Sequence, residues 1–171
     1  MLELYLGGAR SGKSRLAEQR ICDANRQRIY LATATAGDPE MAARISHHQQ
    51  QREADDWRTV EAPEELSGAI RQYASPQTAI LVDCLTLWLS NWLAKEDDER
   101  WMQVKGQFLH TLTTAPGHIV LVSNEVGQGI VPMGSLTRRF VDEAGRLHQD
   151  IAAIANRVVF VTAGLEQVLK N

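Results

Sequence analysis

An apolar opening, MLELYL, runs straight into GGARSGKS at residues 7–14, and this junction constrains the chain more than any other feature. The eight residues fit G-x-x-x-x-G-K-[ST], the phosphate-binding loop. Gly7, Gly8 and Gly12 let the backbone turn its N–H groups toward one concave point, where the following helix adds the positive end of its dipole. Ala9, Arg10 and Ser11 complete the cradle. Lys13 is placed to reach the outer phosphates, and the Ser14 hydroxyl to ligate Mg²⁺. Leu2, Leu4 and Leu6 before the loop, and Leu16, Ala17 and Ile21 after it, supply the strand and helix that the motif requires.

Counting residues 2–6, five short apolar runs read as strands, the others lying at 28–32, 79–83, 119–123 and 158–162. They are β-branched or leucine-rich and lack in/out alternation, as strands covered on both faces do. The clearest helical pattern runs over 135–156, where Leu136, Phe140, Ala144, Leu147, Ile151 and Ile154 step by three or four into one apolar stripe. Ser135 reads as its N-cap. Strand and helix in alternation predict βαβ units: an α/β domain, residues 1–171, with a mostly parallel sheet and helices on both faces. The polar stretch 95–100 reads as a solvated turn between helices.

The charge balance limits the partners. With 18 Lys and Arg against 21 Asp and Glu, the net charge of −3 leaves no general footprint for nucleic acid or an anionic membrane. The most apolar run, 79–93, is too short to span a membrane and contains Asp83, Ser90 and Asn91. The N-terminus enters a strand directly, without the pattern of a signal peptide. A cytoplasmic protein acting on a small molecule is the expectation. Cys22 and Cys84 read as buried free thiols.

In such a sheet, ligands gather at the carboxyl ends of strands. The segments there are GGARSGKS, TATAGDPEM, DCLTLWLSNW, NEVGQGIVP and AGLEQ. Asp83 closes the run AILVD; a carboxylate in that place holds Mg²⁺ in the Walker-B arrangement, or caps the next helix. Thr86 and Asn91 lie on that helix, whose Trp88, Leu89, Trp92 and Leu93 read as core or subunit contacts. Asn124 and Glu125 follow the fourth run. Gly127 and Gly129 either admit a ligand closely or make a turn.

Between the second and third runs, Asp38 and Pro39 open a helix as N-cap and N1. His47 and His48 are adjacent there, and Arg52 stands four residues after His48 on the same helix face. A surface pair of histidines most often has no role. Near a phosphate loop, a neutral imidazole is also a nucleophile and a guanidinium binds the phosphate it attacks. No cysteine or third histidine joins them at metal-ligand spacing.

GGARSGKS, EMAARISHH…R…WRTVE at 40–61, LVDCLTLWLSNWL at 81–93, SNEVGQGIVP at 123–132 and the helix RRFVDEAGRLHQDIAAIA at 138–155 occur in one order. Over essentially the whole chain this resembles the bifunctional adenosylcobinamide kinase/adenosylcobinamide-phosphate guanylyltransferase family of cobalamin biosynthesis. The resemblance implies a P-loop NTPase-like, RecA-like fold and two reactions at one site. In the first, ATP or GTP phosphorylates the aminopropanol hydroxyl of adenosylcobinamide. In the second, GMP passes from GTP through a guanylylated histidine onto that phosphate, giving adenosylcobinamide-GDP and pyrophosphate. The family histidine lies four residues before an arginine, which places it at His48 with Arg52, not at His47. The resemblance further implies that Thr33, Ala34, Thr35, Gln49, Gln50, Gln51, Arg52, Glu61 and Asp83 border the guanine nucleotide or its metal, and that the protein is a homotrimer. Two positions depart from the family: His148, where Asn is common, and Glu53 after the arginine, where Pro is common.

Two other classes compete. A kinase of another small metabolite would keep Lys13, Ser14 and Asp83 but give no role to His48 and Arg52. A nucleotide switch would need N-K-x-D for guanine, which is absent, and the one D-x-x-G, at 142–145, falls inside the long helical pattern.

Overall fold

The computed structural model describes residues 1–34 and 56–171. Its elements follow in the order β1 (Leu2–Gly7), α1 (Lys13–Cys22), β2 (Gln27–Ala32), β3 (Trp57–Glu61), α2 (Leu66–Tyr73), β4 (Thr78–Asp83), α3 (Leu85–Leu93), α4 (Asp98–Thr114), β5 (His118–Asn124), α5 (Ser135–Ile154), β6 (Arg157–Thr162) and β7 (Leu165–Lys170). The strands form one seven-stranded sheet, β3-β2-β4-β5-β1-β6-β7. All neighbours pair in parallel except β6 and β7.

The continuous apolar runs find their reason in two cores. Leu2, Leu4 and Leu6 of β1 join Ile80, Val82, Ile119 and Leu121 on one face, against Leu66, Trp88, Phe108, Leu147 and Ile151 of α2 to α5. The opposite pleat, with Tyr5, Tyr30, Leu81, Val120, Val122 and Val159, packs on Ala17 and Ile21 of α1. Helices thus cover both faces, and a strand with alternating polarity would have been stranded at these central positions. Trp88 is fully buried, its ring 5.3 Å from Trp101 and 4.7 Å from Phe108. This makes the α3 tryptophan core rather than surface. Neither cysteine is in a disulfide; Cys84 is buried, as expected, and Cys22 only half-buried.

Glu3 is the exception on its strand, a fully buried carboxylate. It accepts from Arg20 Nε at 2.9 Å and lies 2.9 Å from His118 Nε2, so its charge is compensated at the amino end of the sheet.

The structure corrects several sequence expectations. Among the described residues there are seven strands, not five. WRTVE is edge strand β3, and the AGLEQ segment is not a ligand-facing loop: Ala163 (φ 51°) and Gly164 (φ 78°) make a tight turn into edge strand β7. Left-handed geometry at both turn residues matches the twist of a two-residue hairpin. Ser135 is the first residue of α5, not its cap; Gly134 holds the cap position without a side-chain bond. Leu136, at the start of the apolar stripe, is 58% exposed. Polar residues 95–100 are exposed, as expected, with Asp97 capping α4 by accepting from Arg100 N–H at 2.9 Å. Among the described residues, no helix is long and apolar enough to cross a membrane.

Candidate active site

β1 delivers the phosphate loop to the carboxyl edge of the sheet, next to the end of β5. Gly7 pairs with Asn124, and its carbonyl accepts the Glu125 N–H at 3.0 Å. The loop turns through Arg10 (φ 56°) and Gly12 (φ 94°), the latter capping α1. α1 carries no acid in its first turn, so the positive end of its dipole is unopposed there. The β6–β7 hairpin braces the loop from outside: Gly164 N–H donates to Ser11 carbonyl at 2.8 Å. The resulting cavity, about 510 Å³, is lined by residues 9–15 and Asn124. Ser14 lies half-buried in its wall.

Lys13 is 7% exposed, and its ammonium donates to Gly8 carbonyl at 3.1 Å. Burial lowers its pKa, and the nearby Asp83 and Cys84 oppose that shift. The Asp83 carboxylate therefore acts on the same ammonium that the loop carries. Asp83 ends β4 and accepts from Tyr30 hydroxyl at 3.0 Å. It does not cap the next helix, because the cap position of α3 belongs to Cys84. A serine hydroxyl and a carboxylate are hard oxygen donors, the kind Mg²⁺ accepts beside phosphate oxygens and water. Ser14 and Asp83 fit that ion chemically.

Thr33, just past β2, is fully buried with its hydroxyl engaged: Oγ1 donates to Cys84 carbonyl at 2.7 Å and accepts Cys84 N–H at 2.8 Å. Its own N–H donates to Asp83 carbonyl at 3.2 Å, so it latches the ends of β2 and β4. Asn91 continues the latch, donating to the carbonyls of Thr33 at 3.1 Å and Pro63 at 2.9 Å. Ala34 follows, half-buried. Glu61 is exposed at the end of β3, lining a second cavity of about 520 Å³ with residues 62–65. β3 stands four strands from β1, about 19 Å at the usual interstrand spacing, so Glu61 is out of reach of a phosphate in the loop. Thr35, Asp38, Pro39, His47, His48, Gln49, Gln50, Gln51 and Arg52 lie outside the described residues.

After β5, neither Gly127 nor Gly129 has a positive φ, and a Cβ on Gly129 would meet nothing within 4 Å. Residues 127–131 are exposed, with Ile130 at 98%. Tyr30 was not anticipated at the site, and Gly164 was placed there only within the AGLEQ segment, not as the second residue of a hairpin turn that braces the loop. That turn had a signal: Ala-Gly between two runs of strand character is a hairpin turn.

The chain matches the family described as "Cobinamide kinase / cobinamide phosphate guanyltransferase" over residues 3–169. It is 51% identical to the bifunctional adenosylcobalamin biosynthesis protein CobP of Pseudomonas aeruginosa, covering 100% of this chain and 98% of that protein. It is 42% identical to the bifunctional adenosylcobalamin biosynthesis protein CobU of Escherichia coli, covering 99% and 100% respectively. Among solved structures it resembles the RadB recombinase, with TM-score 0.56 and 14% identity over 93% of this chain and 73% of that one. It also resembles an ATPase from the type III secretion system, with TM-score 0.56 and 14% identity over 98% of this chain and 56% of that one. These two likenesses concern the fold alone, which is that of RecA-like P-loop ATPases.

Proposed function

Because the chain belongs to the cobinamide kinase / cobinamide phosphate guanyltransferase family, the bifunctional transferases of cobalamin biosynthesis, we propose that one phosphate loop serves both of its reactions. The observation that carries this is the single cradle after β1, where Lys13 is parked on Gly8 carbonyl within the field of Asp83. A triphosphate entering the cavity displaces that internal bond, and the ammonium moves from a carbonyl to phosphate oxygens.

In the kinase step, the aminopropanol hydroxyl oxygen of adenosylcobinamide attacks the γ-phosphorus of ATP or GTP. The nucleoside diphosphate leaves and the hydroxyl proton passes to solvent. Loop N–H groups, the α1 dipole and Lys13 hold the charge that shifts onto the leaving oxygen. Mg²⁺, held by Ser14 and Asp83, supplies further charge neutralisation when bound.

In the guanylyl step, a neutral nitrogen of His48 attacks the α-phosphorus of GTP and pyrophosphate leaves. The phosphate oxygen of adenosylcobinamide phosphate then attacks the same phosphorus, forming adenosylcobinamide-GDP and freeing the imidazole. Arg52 clamps the phosphate during both transfers. Residues 35–55 follow directly on Ala34, whose neighbour Thr33 bonds Cys84 and the Asp83 end of β4. Gln49, Gln50, Gln51, Ala34 and Thr35 border the same nucleotide, and Thr33 acts by holding the strand ends. Glu61 serves the far end of the guanine nucleotide. The protein works as one domain, as a cytoplasmic homotrimer.

The test is incubation with adenosylcobinamide and GTP followed by product mass. Adenosylcobinamide-GDP with pyrophosphate is expected. Accumulation of the monophosphate alone would reduce the protein to a kinase, and an unchanged acceptor would refute the proposal.

A further inference from the structure

Behind the phosphate loop, a line of buried polar groups has no part in either reaction. Ser123 of β5 is 1% exposed and His148 of α5 is 7% exposed. His148 Nε2 lies 2.7 Å from Ser123 Oγ, and Ser123 Oγ lies 3.2 Å from Thr86 Oγ1. Thr86 Oγ1 in turn accepts the Asn124 N–H at 2.7 Å. On the other side of the imidazole, Nδ1 has no hydrogen-bond partner and sits 3.7 Å from Glu125 Oε2. The other Glu125 oxygen accepts the Gly127 N–H at 2.6 Å. The line therefore begins and ends on the segment 124–127, with α5 holding its middle.

The protons can be placed. If Nε2 carried the hydrogen, the bare lone pair of buried Nδ1 would face the half-buried Glu125 carboxylate, a repulsion. If Nδ1 carries it, the N–H dipole stands 3.7 Å from the carboxylate, an attraction in place of the repulsion, and Nε2 accepts the single proton of Ser123. The Ser123 contact to nitrogen, 2.7 Å, is shorter than its contact to Thr86, 3.2 Å. Burial lowers the His148 pKa against the opposing pull of Glu125, which keeps the ring in the neutral form needed to accept.

We propose that His148 is a positioning residue: as the neutral Nδ1–H tautomer it accepts from Ser123 and turns its N–H side toward the Glu125 carboxylate, and so fixes Asn124 and Glu125 against the phosphate loop. The link to the site is short. Asn124 lines the phosphate cavity and pairs with Gly7, while Glu125 N–H bonds the Gly7 carbonyl. Loosening the line shifts one wall of the cradle while leaving the loop sequence and Lys13 unchanged. The kinetic part rests on the function proposed above; the tautomer does not.

Two experiments are paired. Long-range ¹H–¹⁵N spectra of the wild type at pH 7, with the ring assigned by loss of its signals in His148→Gln, should show a neutral Nδ1–H imidazole. The Nε2–H form or an imidazolium would overturn the proposal, whether or not the enzyme shows either activity. Kinetically, His148→Phe should lower kcat of both reactions about tenfold, with KM for the nucleotide changed by less than about twofold, since misplaced walls cost rate more than binding. His148→Gln, whose amide oxygen can accept from Ser123 in the place of Nε2, should recover most of that loss. Equal losses in Phe and Gln, or none in Phe, would reduce His148 to a packing residue.

Discussion

Gly7→Ala tests how tightly the phosphate loop is fitted to its sheet. A Cβ at Gly7 would fall 2.5 Å from Val161 carbonyl oxygen and 2.6 Å from Ser11 Oγ. Ser11 could rotate, although its hydroxyl is buried and without a partner. Val161 cannot yield so easily, because it is backbone of β6, paired in register with Gly7 itself. Gly7 is held from the other side by Asn124 and by the bond from Glu125 N–H. The clash must therefore open the β1–β6 pairing or push the loop outward. Forced overpacking costs about 1–3 kcal/mol, which for a chain of this size lowers Tm by roughly 3–10 °C. A loop displaced by about 1 Å should also lose about a hundredfold in kcat. Gly8→Ala is the control: its Cβ would meet nothing within 4 Å, and its φ is not positive. It should change stability by less than about 0.5 kcal/mol. The assays are thermal unfolding and steady-state turnover with GTP. A Gly7→Ala protein with wild-type Tm and kcat, or an equal loss of stability in Gly8→Ala, would refute the fit.

Lys13→Ala should depress both reactions by at least about 10²–10³-fold in kcat, because both draw on one cradle; guanylyl transfer at near wild-type rate would break the single-site account. Asp83→Asn should cost Mg²⁺-dependent turnover roughly a hundredfold with little loss of Tm, since Cys84, not Asp83, holds the helix cap; unchanged turnover with a lowered Tm would reverse that assignment. Burial alone would raise the Glu3 carboxyl, but hydrogen bonds from His118 and Arg20 outweigh it and hold the folded-state pKa below the ordinary value. Its contribution to stability is then complete above about pH 4.3, the ordinary glutamate value, and is lost as pH falls through the lower folded value. Glu3→Gln should flatten the acid limb of a stability-against-pH curve, and parallel limbs in mutant and wild type would contradict this.

The parts of the fold legible in the sequence were those with a local cause. The phosphate loop is specified by its own residues, and the central strands by runs that only two-sided burial allows. β3 and β7 escaped notice because edge strands need no continuous apolar run: every residue of LEQVLK is exposed, and WRTVE buries only its tryptophan. Ser135 looked like a cap because serine is favoured there, but the helix begins one residue earlier than that role requires. Leu136 fitted the periodic stripe, which records what a helix offers and not how far its neighbours extend. The Ser123–His148 pair joins residues 25 apart, which only tertiary packing brings together. Its one local trace is that His148 stands four residues after buried Ala144, on the apolar face. Asp83 was recognisable as a strand-end carboxylate, whereas its Tyr30 partner depended on strand order.

The central claim is that GMP passes through His48, and one labelling experiment addresses it. The protein is mixed with α-labelled GTP without acceptor, then digested and mapped, alongside His48→Ala and His47→Ala. A histidine adduct is a phosphoramidate, labile in acid and stable in base, and its formation needs the imidazole in its neutral form. Label is expected on His48, retained in His47→Ala and lost in His48→Ala, with appreciable kinase activity in both. Label on His47, or full guanylyl transfer in His48→Ala, would contradict it.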